Sequence, residues 1–331
     1  MTVVFACVDA DTLGGIQQVT HTLAQGMAER GHEVHVVGLD PTAAPFTYVE
    51  DPLYGRLSPK RLDALSDGFI VMTSPGVVTR LAGMYGELRP IGQYHGSYQH
   101  ARGCAHLGSI RKNYGALDQA VFLSEDDAWL FSEHALLPNT WALPNPLATW
   151  PSTVSSLETP RVLGVGRLEG VKRFDRLISA FALASAPPWE LHLLGDGAEL
   201  GRLQSHAARL GVADRVVFRG RVPVSEMSAE YASAALLGLS SEHEGLPLVL
   251  VEAAAHGVPS VAFDVSGGVR SVGPVLVPPG DVEAFSLEMG RLMGSTEERR
   301  RLGAAARSRV EVFRLSNVLD RWDELFAHIT R

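Results

Sequence analysis

Residues 2–38 read TVVFACVDADTLGGIQQVTHTLAQGMAERGHEVHVVG, and their punctuation decides the fold. Residues 2–8 are a short apolar run, the pattern of a strand buried on both faces. Gly14-Gly15 then opens a loop. Over residues 16–30 the apolar positions Ile16, Val19, Leu23 and Met27 recur three or four residues apart, which is helical spacing. Gly31 supplies a C-terminal stop, and residues 33–37 alternate into a second strand. Strand, helix and strand in this order imply a parallel sheet covered on both faces.

The alternation continues through strand patterns at 69–72, 91–94 and 120–123, with helical patterns between them. It breaks between Pro144 and Pro160, where four prolines mix with Ser152, Thr153, Ser155 and Ser156, a composition that suits a linker. It then restarts at 162–165, 191–194, 216–218, 236–239 and 260–263. A chain of 331 residues exceeds what one core usually organises, so two domains are expected. The fold class that follows is α/β, with two doubly wound, Rossmann-like domains facing across a cleft and a hinge near residue 150. Ligands of such sheets sit beyond the carboxyl ends of the strands, so the loops there are where chemistry should lie.

Composition narrows the function. A formal charge of −8 argues against broad nucleic-acid binding, which rewards basic surfaces. Two cysteines, Cys7 and Cys104, do not make a disulfide framework, and a reducing cytoplasm is the simpler setting. The short apolar start lacks a basic leader and reads as a core strand and not as a signal peptide. No apolar run approaches the roughly 20 residues that span a bilayer. Positive charge is carried almost wholly by arginine; the lysines are Lys60, Lys112 and Lys172.

Against that bias Lys172 stands out, as the single lysine of the second half. It closes the stretch VGRLEGVK, residues 165–172, after a strand and before a helix, so Arg167 and Lys172 leave the same strand end. Two cations so placed can clamp a diphosphate and stabilise charge on a leaving group. A lysine is a compact point charge on phosphate that arginine does not replace well. The stretch EGLPLVLVE, residues 244–252, follows another strand. Pro247 suits a first helical turn, and the helix would carry Glu252 about one and a half turns in. Free amides at its start make a seat for an anionic phosphate, and Glu244 and Glu252 could accept sugar and ribose hydroxyls on either side. Taken alone, each is equally an acidic loop, a generic helix start or a pair of solvated cations. Gly195-Asp196-Gly197 and Phe218-Arg219-Gly220 are strand-end turns whose glycines serve tight turns more often than ligands. The run of Glu297, Glu298, Arg299, Arg300 and Arg301 reads as an exposed helix with internal pairing.

As a set, these elements resemble the donor domain of GT-B glycosyltransferases of the GT4-type retaining family. The likeness runs in order over about residues 160–290, through Gly166-Arg167-Leu168 with Lys172, Phe174 and Leu177, then Gly195-Asp196-Gly197, Phe218 and Gly220. It continues with residues 244–252, Gly257-Val258-Pro259, Gly267-Gly268 and Pro279-Gly280-Asp281. In the first half, Gly14-Gly15 and residues 30–34 are similar to the family's opening, and His95, Ser124 and Pro144-Asn145 fall where it carries related residues. The resemblance implies an acceptor-binding domain over 1–150, a nucleotide-sugar domain over 151–312, and a C-terminal helix within 313–331 that crosses back to the first. It implies that Arg167 and Lys172 bind the donor diphosphate, Glu252 the ribose and Glu244 the transferred sugar. It further implies that Gly195, Phe218, Gly220, Gly245, Leu246, Pro247 and Leu248 border the donor, that Gly14 and Gly15 approach its phosphates, and that His95 lines the sugar site. The activity implied is transfer of a hexose-type sugar from a nucleoside diphosphate sugar, UDP favoured over GDP, to a hydroxyl acceptor. Configuration would be retained by front-face attack with phosphate assistance, and no metal or cofactor is expected.

This chain departs from the family pattern at Gly96, where an acidic residue often follows the His, and at Arg270-Ser271, where an acidic residue is expected after Gly267-Gly268. Arg102, Arg111 and Lys112 are candidates for a phosphate-bearing acceptor, against the plainer reading of a solvated helix face. The competing functions are a nucleotide-sugar epimerase of the same architecture and a non-catalytic sugar-binding subunit. A nicotinamide enzyme is disfavoured because no Gly-x-Gly-x-x-Gly opens the first helix.

Overall fold

The structure is a computed structural model that describes residues 1–184 and 187–330; Arg331, the end of the last expected segment, lies outside them. The chain divides into two compact units, Met1–Thr149 with Phe313–Arg331, and Trp150–Val312.

In the first unit seven strands form one sheet: β1 (Thr2–Cys7), β2 (Glu33–Gly38), β3 (Gly55–Arg56), β4 (Phe69–Met72), β5 (Arg89–Tyr94), β6 (Gln119–Phe122) and β7 (Thr140–Ala142). Their order is β3-β2-β1-β4-β5-β6-β7, and every pairing is parallel. Val3, Val4, Phe5 and Ala6 are fully buried at the centre, as a strand covered on both faces requires. β1 stops at Cys7, because Val8 leaves the sheet and is 40% exposed. The helix Gly15–Glu29 buries Val19, Leu23 and Met27 of the stripe read from spacing, while Ile16 in its first turn is only partly buried. A last helix, Leu315–Thr330, closes this same unit. Its Trp322 meets Phe5 edge-on at 6.3 Å, and its Phe326 stacks on Phe69 at 4.4 Å.

The second unit has six parallel strands: β8 (Arg161–Val165), β9 (Glu190–Leu194), β10 (Val216–Gly220), β11 (Leu236–Leu239), β12 (Ser260–Phe263) and β13 (Val275–Val277). They run in the order β10-β9-β8-β11-β12-β13. Both sheets therefore reverse direction of growth at their first strand, the doubly wound arrangement expected. Phe174, Leu177 and Phe181 from the helix Phe174–Ala184 pack with Phe285 and Met289 from the helix Val282–Gly294 in one core.

Two local readings need correction. Of the stretch 144–160, read as linker, residues 150–160 are laid on the second unit: Ser155 N donates to His256 O at 2.8 Å, and Leu157 is 4% exposed. The charged run at 297–301 is not wholly a solvated face. Glu298 does pair with Arg301 at 3.2 Å, but Arg299 is buried and donates to the carbonyls of Leu157, Leu292 and Met293. Those acceptors belong to a helix end and an adjoining strap, where unpaired carbonyls would be costly. Among the described residues no helix is long and apolar enough to cross a membrane.

Candidate functional site

At the carboxyl end of β8, Gly166 turns the chain at φ +149° and residues 167–172 form a loop. Lys172 N donates to Glu169 O at 3.0 Å, while its carbonyl accepts from Ser240 Oγ, just past β11, at 2.9 Å. Glu242 N donates to Val171 O at 2.9 Å, so the loops after β8 and β11 are stitched together by backbone. The consequence is that Lys172 Nζ meets Glu244 Oε1 at 2.7 Å, with both side chains largely withdrawn from solvent. The next residue, Arg173, sits at φ 47°, a left-handed conformation costly outside glycine. Its guanidinium is held at 3.0 Å by Asp175 and is also bonded to Glu242, contacts that offset the strain. Arg167 differs: it is 77% exposed and reaches Glu169 at 3.1 Å.

The helix Leu248–Ala255 starts after Pro247 with no side-chain cap. Before it, Leu246 is buried, and Gly245 O accepts from Ser266 Oγ at 3.1 Å. A Cβ at Gly268 would come within 1.9 Å of that carbonyl, so the backbone of the helix Gly267–Val272 bears directly on the 244–246 loop. Glu252, one turn into the first helix, accepts from Tyr231 Oη at 2.6 Å. Burial raises its pKa above the ordinary carboxylate value, and the Tyr231 hydrogen bond works in the other direction. The arrangement is a cation, two acceptors and an uncapped helix start on adjoining strand ends of one sheet.

Residues 151–309 match the family model described as glycosyl transferases group 1. The fold is GT-B, as in the Anabaena HepE protein solved in complex with UDP and glucose. The TM-score with that structure is 0.77 at 17% identity, over 99% of this chain and 100% of the other. The second unit is a group 1 glycosyl transferase domain. Over 99% of its length the chain is 29% identical to an exopolysaccharide phosphotransferase of Streptomyces coelicolor, but it spans only 41% of that protein. An uncharacterized glycosyltransferase of Haemophilus influenzae is 25% identical, over 96% of this chain and 98% of the relative.

Within the glycosyl transferase domain, the glycines flanking Asp196 have packing reasons of their own. Gly195 lies at φ +143°, and a Cβ there would stand 1.9 Å from Gly166 O; one at Gly197 would stand 2.4 Å from Leu168 O. They let the end of β9 press against the Arg167 loop. Gly220, at φ +67°, accepts from Gly195 N at 2.8 Å, and Phe218 packs against the core. Tyr231, Ser240, Glu242 and Ser266 complete the candidate site on this unit and were not readable from sequence, because each acts on a partner far along the chain.

In the first unit, the loop between β1 and its helix is internally tied. Asp9 accepts from the amides of Asp11 and Thr12 at 2.9 and 3.1 Å. Gly14 N donates to Tyr48 Oη at 2.8 Å, and Tyr48 donates to Thr12 O at 2.6 Å. Gly15 opens the helix with no side-chain cap, its φ is not positive, and an added Cβ would meet nothing within 4 Å. His95 follows β5. Both its ring nitrogens and Asn145 Oδ1 are buried without a hydrogen-bond partner among the described residues. Burial pushes the His95 pKa down to about 4, with the Asn145 side chain acting in the other direction, so the imidazole is neutral at neutral pH. Arg111 is bonded to His134 O, a structural contact, whereas Arg102 and Lys112 are exposed. Ser124 caps the helix Glu125–Ala135, and its hydroxyl meets Asp127 at 2.7 Å.

Proposed function

We propose that this chain is a retaining glycosyltransferase that moves a hexose-type sugar from a nucleoside diphosphate sugar to a hydroxyl acceptor. The observation that carries this reading is the Lys172–Glu244 pair at 2.7 Å beside an uncapped helix start, inside a group 1 glycosyl transferase domain. A partly buried ammonium on a loop adjoining helix amides that lack a side-chain acceptor is a seat for phosphate. Glu244 neutralises Lys172 until the diphosphate arrives, and then turns to a sugar hydroxyl. Exposed Arg167 swings onto the same diphosphate. Glu252, fixed by Tyr231, takes the ribose hydroxyls, and the backbone of Gly245, Leu246, Pro247 and Leu248 borders the distal phosphate and sugar. Gly195, Phe218 and Gly220 shape the donor's surroundings through the loop they support.

On the first unit, Gly14 and Gly15 are the backbone positions this reading assigns to a phosphate. Among the described residues a Cβ added at Gly15 would meet nothing within 4 Å, so Gly15→Ala tests the ligand approach without crowding the fold. His95, neutral and buried beside Asn145, offers a ring nitrogen to the transferred sugar. UDP is the favoured nucleotide and GDP the alternative; the Anabaena protein solved with UDP and glucose supports the first. The bond from the anomeric carbon to the leaving phosphate breaks as the acceptor oxygen attacks the same face, and the departing phosphate oxygen takes the acceptor proton. Arg167 and Lys172 stabilise the charge that develops there. No metal or cofactor enters this step. The acceptor is a hydroxyl of a bacterial cell-surface glycan or its precursor, a class the Streptomyces relative's name supports. Where it bears phosphate, Arg102 and Lys112 are the cations placed to meet it, and the free thiols suit a cytoplasmic setting.

Calorimetric titration with UDP tests the reading. Lys172→Ala and Glu252→Ala should each weaken binding about tenfold or more, and Gly15→Ala should weaken binding of the sugar nucleotide without lowering the melting temperature. Unchanged binding in the first two variants would overturn it. The anomeric configuration of the product, read by NMR, should match the donor, and a new sugar nucleotide formed from donor alone would favour an epimerase.

A further inference from the structure

The loop that follows His95 gathers a second set of chemically active side chains. His100 lies in the helix Tyr98–Arg102, Cys104 in the turn after it, and His106 opens the helix His106–Asn113. One ligand atom from each of the three comes within 4.8 Å of the others. The two imidazoles stand edge to face, with centroids 5.7 Å apart and planes at 71°, so they are not stacked for apolar contact.

We propose that His100, Cys104 and His106 form a zinc site with two imidazoles and one thiolate. The donor set decides the metal. A thiolate with two imidazoles and no gathered carboxylate suits zinc and disfavours magnesium or calcium. Zinc bonds of about 2.0–2.1 Å to nitrogen and 2.3 Å to sulfur bring ligand atoms to roughly 3.5 Å of one another. Closing from 4.8 Å asks about 1 Å of movement, which side-chain rotation at the exposed Cys104 and His106 supplies.

The frame beneath is held by hydrogen bonds and core packing. Ser97 Oγ accepts from His100 N at 3.2 Å, and Tyr98 N donates to Asp127 Oδ1 at 2.8 Å. Tyr98, Ala101 and Ile110 are buried, fixing both helices to the unit's core. His106 also has an outer partner: its Nδ1 lies 3.1 Å from Tyr94 Oη. With Nδ1–H donating to that oxygen, Nε2 presents the lone pair, the arrangement that orients metal-binding histidines. Three protein ligands leave a fourth position for water or an anion. The site carries a net positive charge, and the metal would pin the turn at Gly103. It is separate from the sugar-transfer step, which is proposed to need no metal, and its test does not depend on that step.

The test uses the full chain, reduced and stripped with chelator, titrated with cobalt(II) and then with zinc against a chromophoric chelator. The expected result is one equivalent of cobalt per chain with tetrahedral visible bands and a thiolate-to-cobalt charge-transfer band, displaced by zinc. Cys104→Ser should abolish the charge-transfer band, and His106→Ala should lower zinc affinity at least tenfold. Both residues are exposed, so the far-ultraviolet circular dichroism of the variants should be that of the parent. A charge-transfer band that survives in Cys104→Ser would overturn the proposal, as would zinc binding that is weak, not stoichiometric or unaltered by both substitutions.

Discussion

His95, just after β5, has both ring nitrogens buried, with the Asn145 side chain as the neighbour that favours its charged form. Its ordinary pKa of 6.5 falls to about 4 in the folded chain because burial penalises the imidazolium. The folded value lies below the unfolded one, so between these limits the unfolded chain binds more protons. The His95 contribution to stability is therefore complete above pH 6.5 and is lost as pH falls toward 4. Its size is on the order of 3 kcal/mol. Urea unfolding of the parent and His95→Gln over this range should show a stability difference that is flat above pH 6.5 and shifts by that order at pH 4. A pH-independent difference would sink the assignment. At this scale the sequence displays which residue types are unusual, as with Lys172 among arginines, but not what they touch. Lys172 and Glu244 are 72 positions apart, and their contact exists only because the loops after β8 and β11 share backbone hydrogen bonds.

Elements were more legible than residues where burial imposes a period. Residues 16–30 and 33–37 show their helix and strand because one face or both faces must be apolar. The Glu297–Arg301 neighbourhood was not legible, since arginine serves equally as a solvated charge and as a multidentate donor. In the helix Thr296–Arg309, Arg299 does the second. It donates to Leu157 O at 2.9 Å, to Leu292 O at 2.7 Å and to Met293 O at 3.0 Å, joining the end of the helix Val282–Gly294 to the 150–160 strap. Its guanidinium also lies over the Trp189 ring at 5.1 Å. Arg299→Ala leaves several buried carbonyls without a donor and should destabilise the second unit by about 3 kcal/mol. Arg300→Ala, removing an exposed pair with Glu158, should change stability by less than about 0.5 kcal/mol. Equal effects in denaturant unfolding would show that Arg299 is only another surface charge.

Across the whole molecule the two units are built from the chain in different ways. The second is one continuous stretch, Trp150–Val312, whereas the first is made from both ends. Phe5 and Phe69 lie at the centre of its sheet, yet the rings that cover them, Trp322 and Phe326, arrive some 250 to 320 residues later. Arg30 adds pairs to Asp320 and Asp323 at 2.8 and 2.7 Å and donates to Ser316 O at 2.9 Å, so the closing helix is held at its rim as well as in the core. Removing one large buried aromatic costs roughly 3–5 kcal/mol, a sizeable part of a domain's stability. Residues 150–312 expressed alone should therefore unfold cooperatively and, on the proposed donor chemistry, retain UDP binding. Residues 1–149 alone should lack a cooperative transition, and a peptide of residues 313–330 added in trans should restore one. In the full chain, Trp322→Ala should lower the denaturant midpoint reported by the first unit while leaving that of the second unchanged. If residues 1–149 melt cooperatively at the parent's midpoint without the peptide, the final helix is an appendage and not the lid of this core.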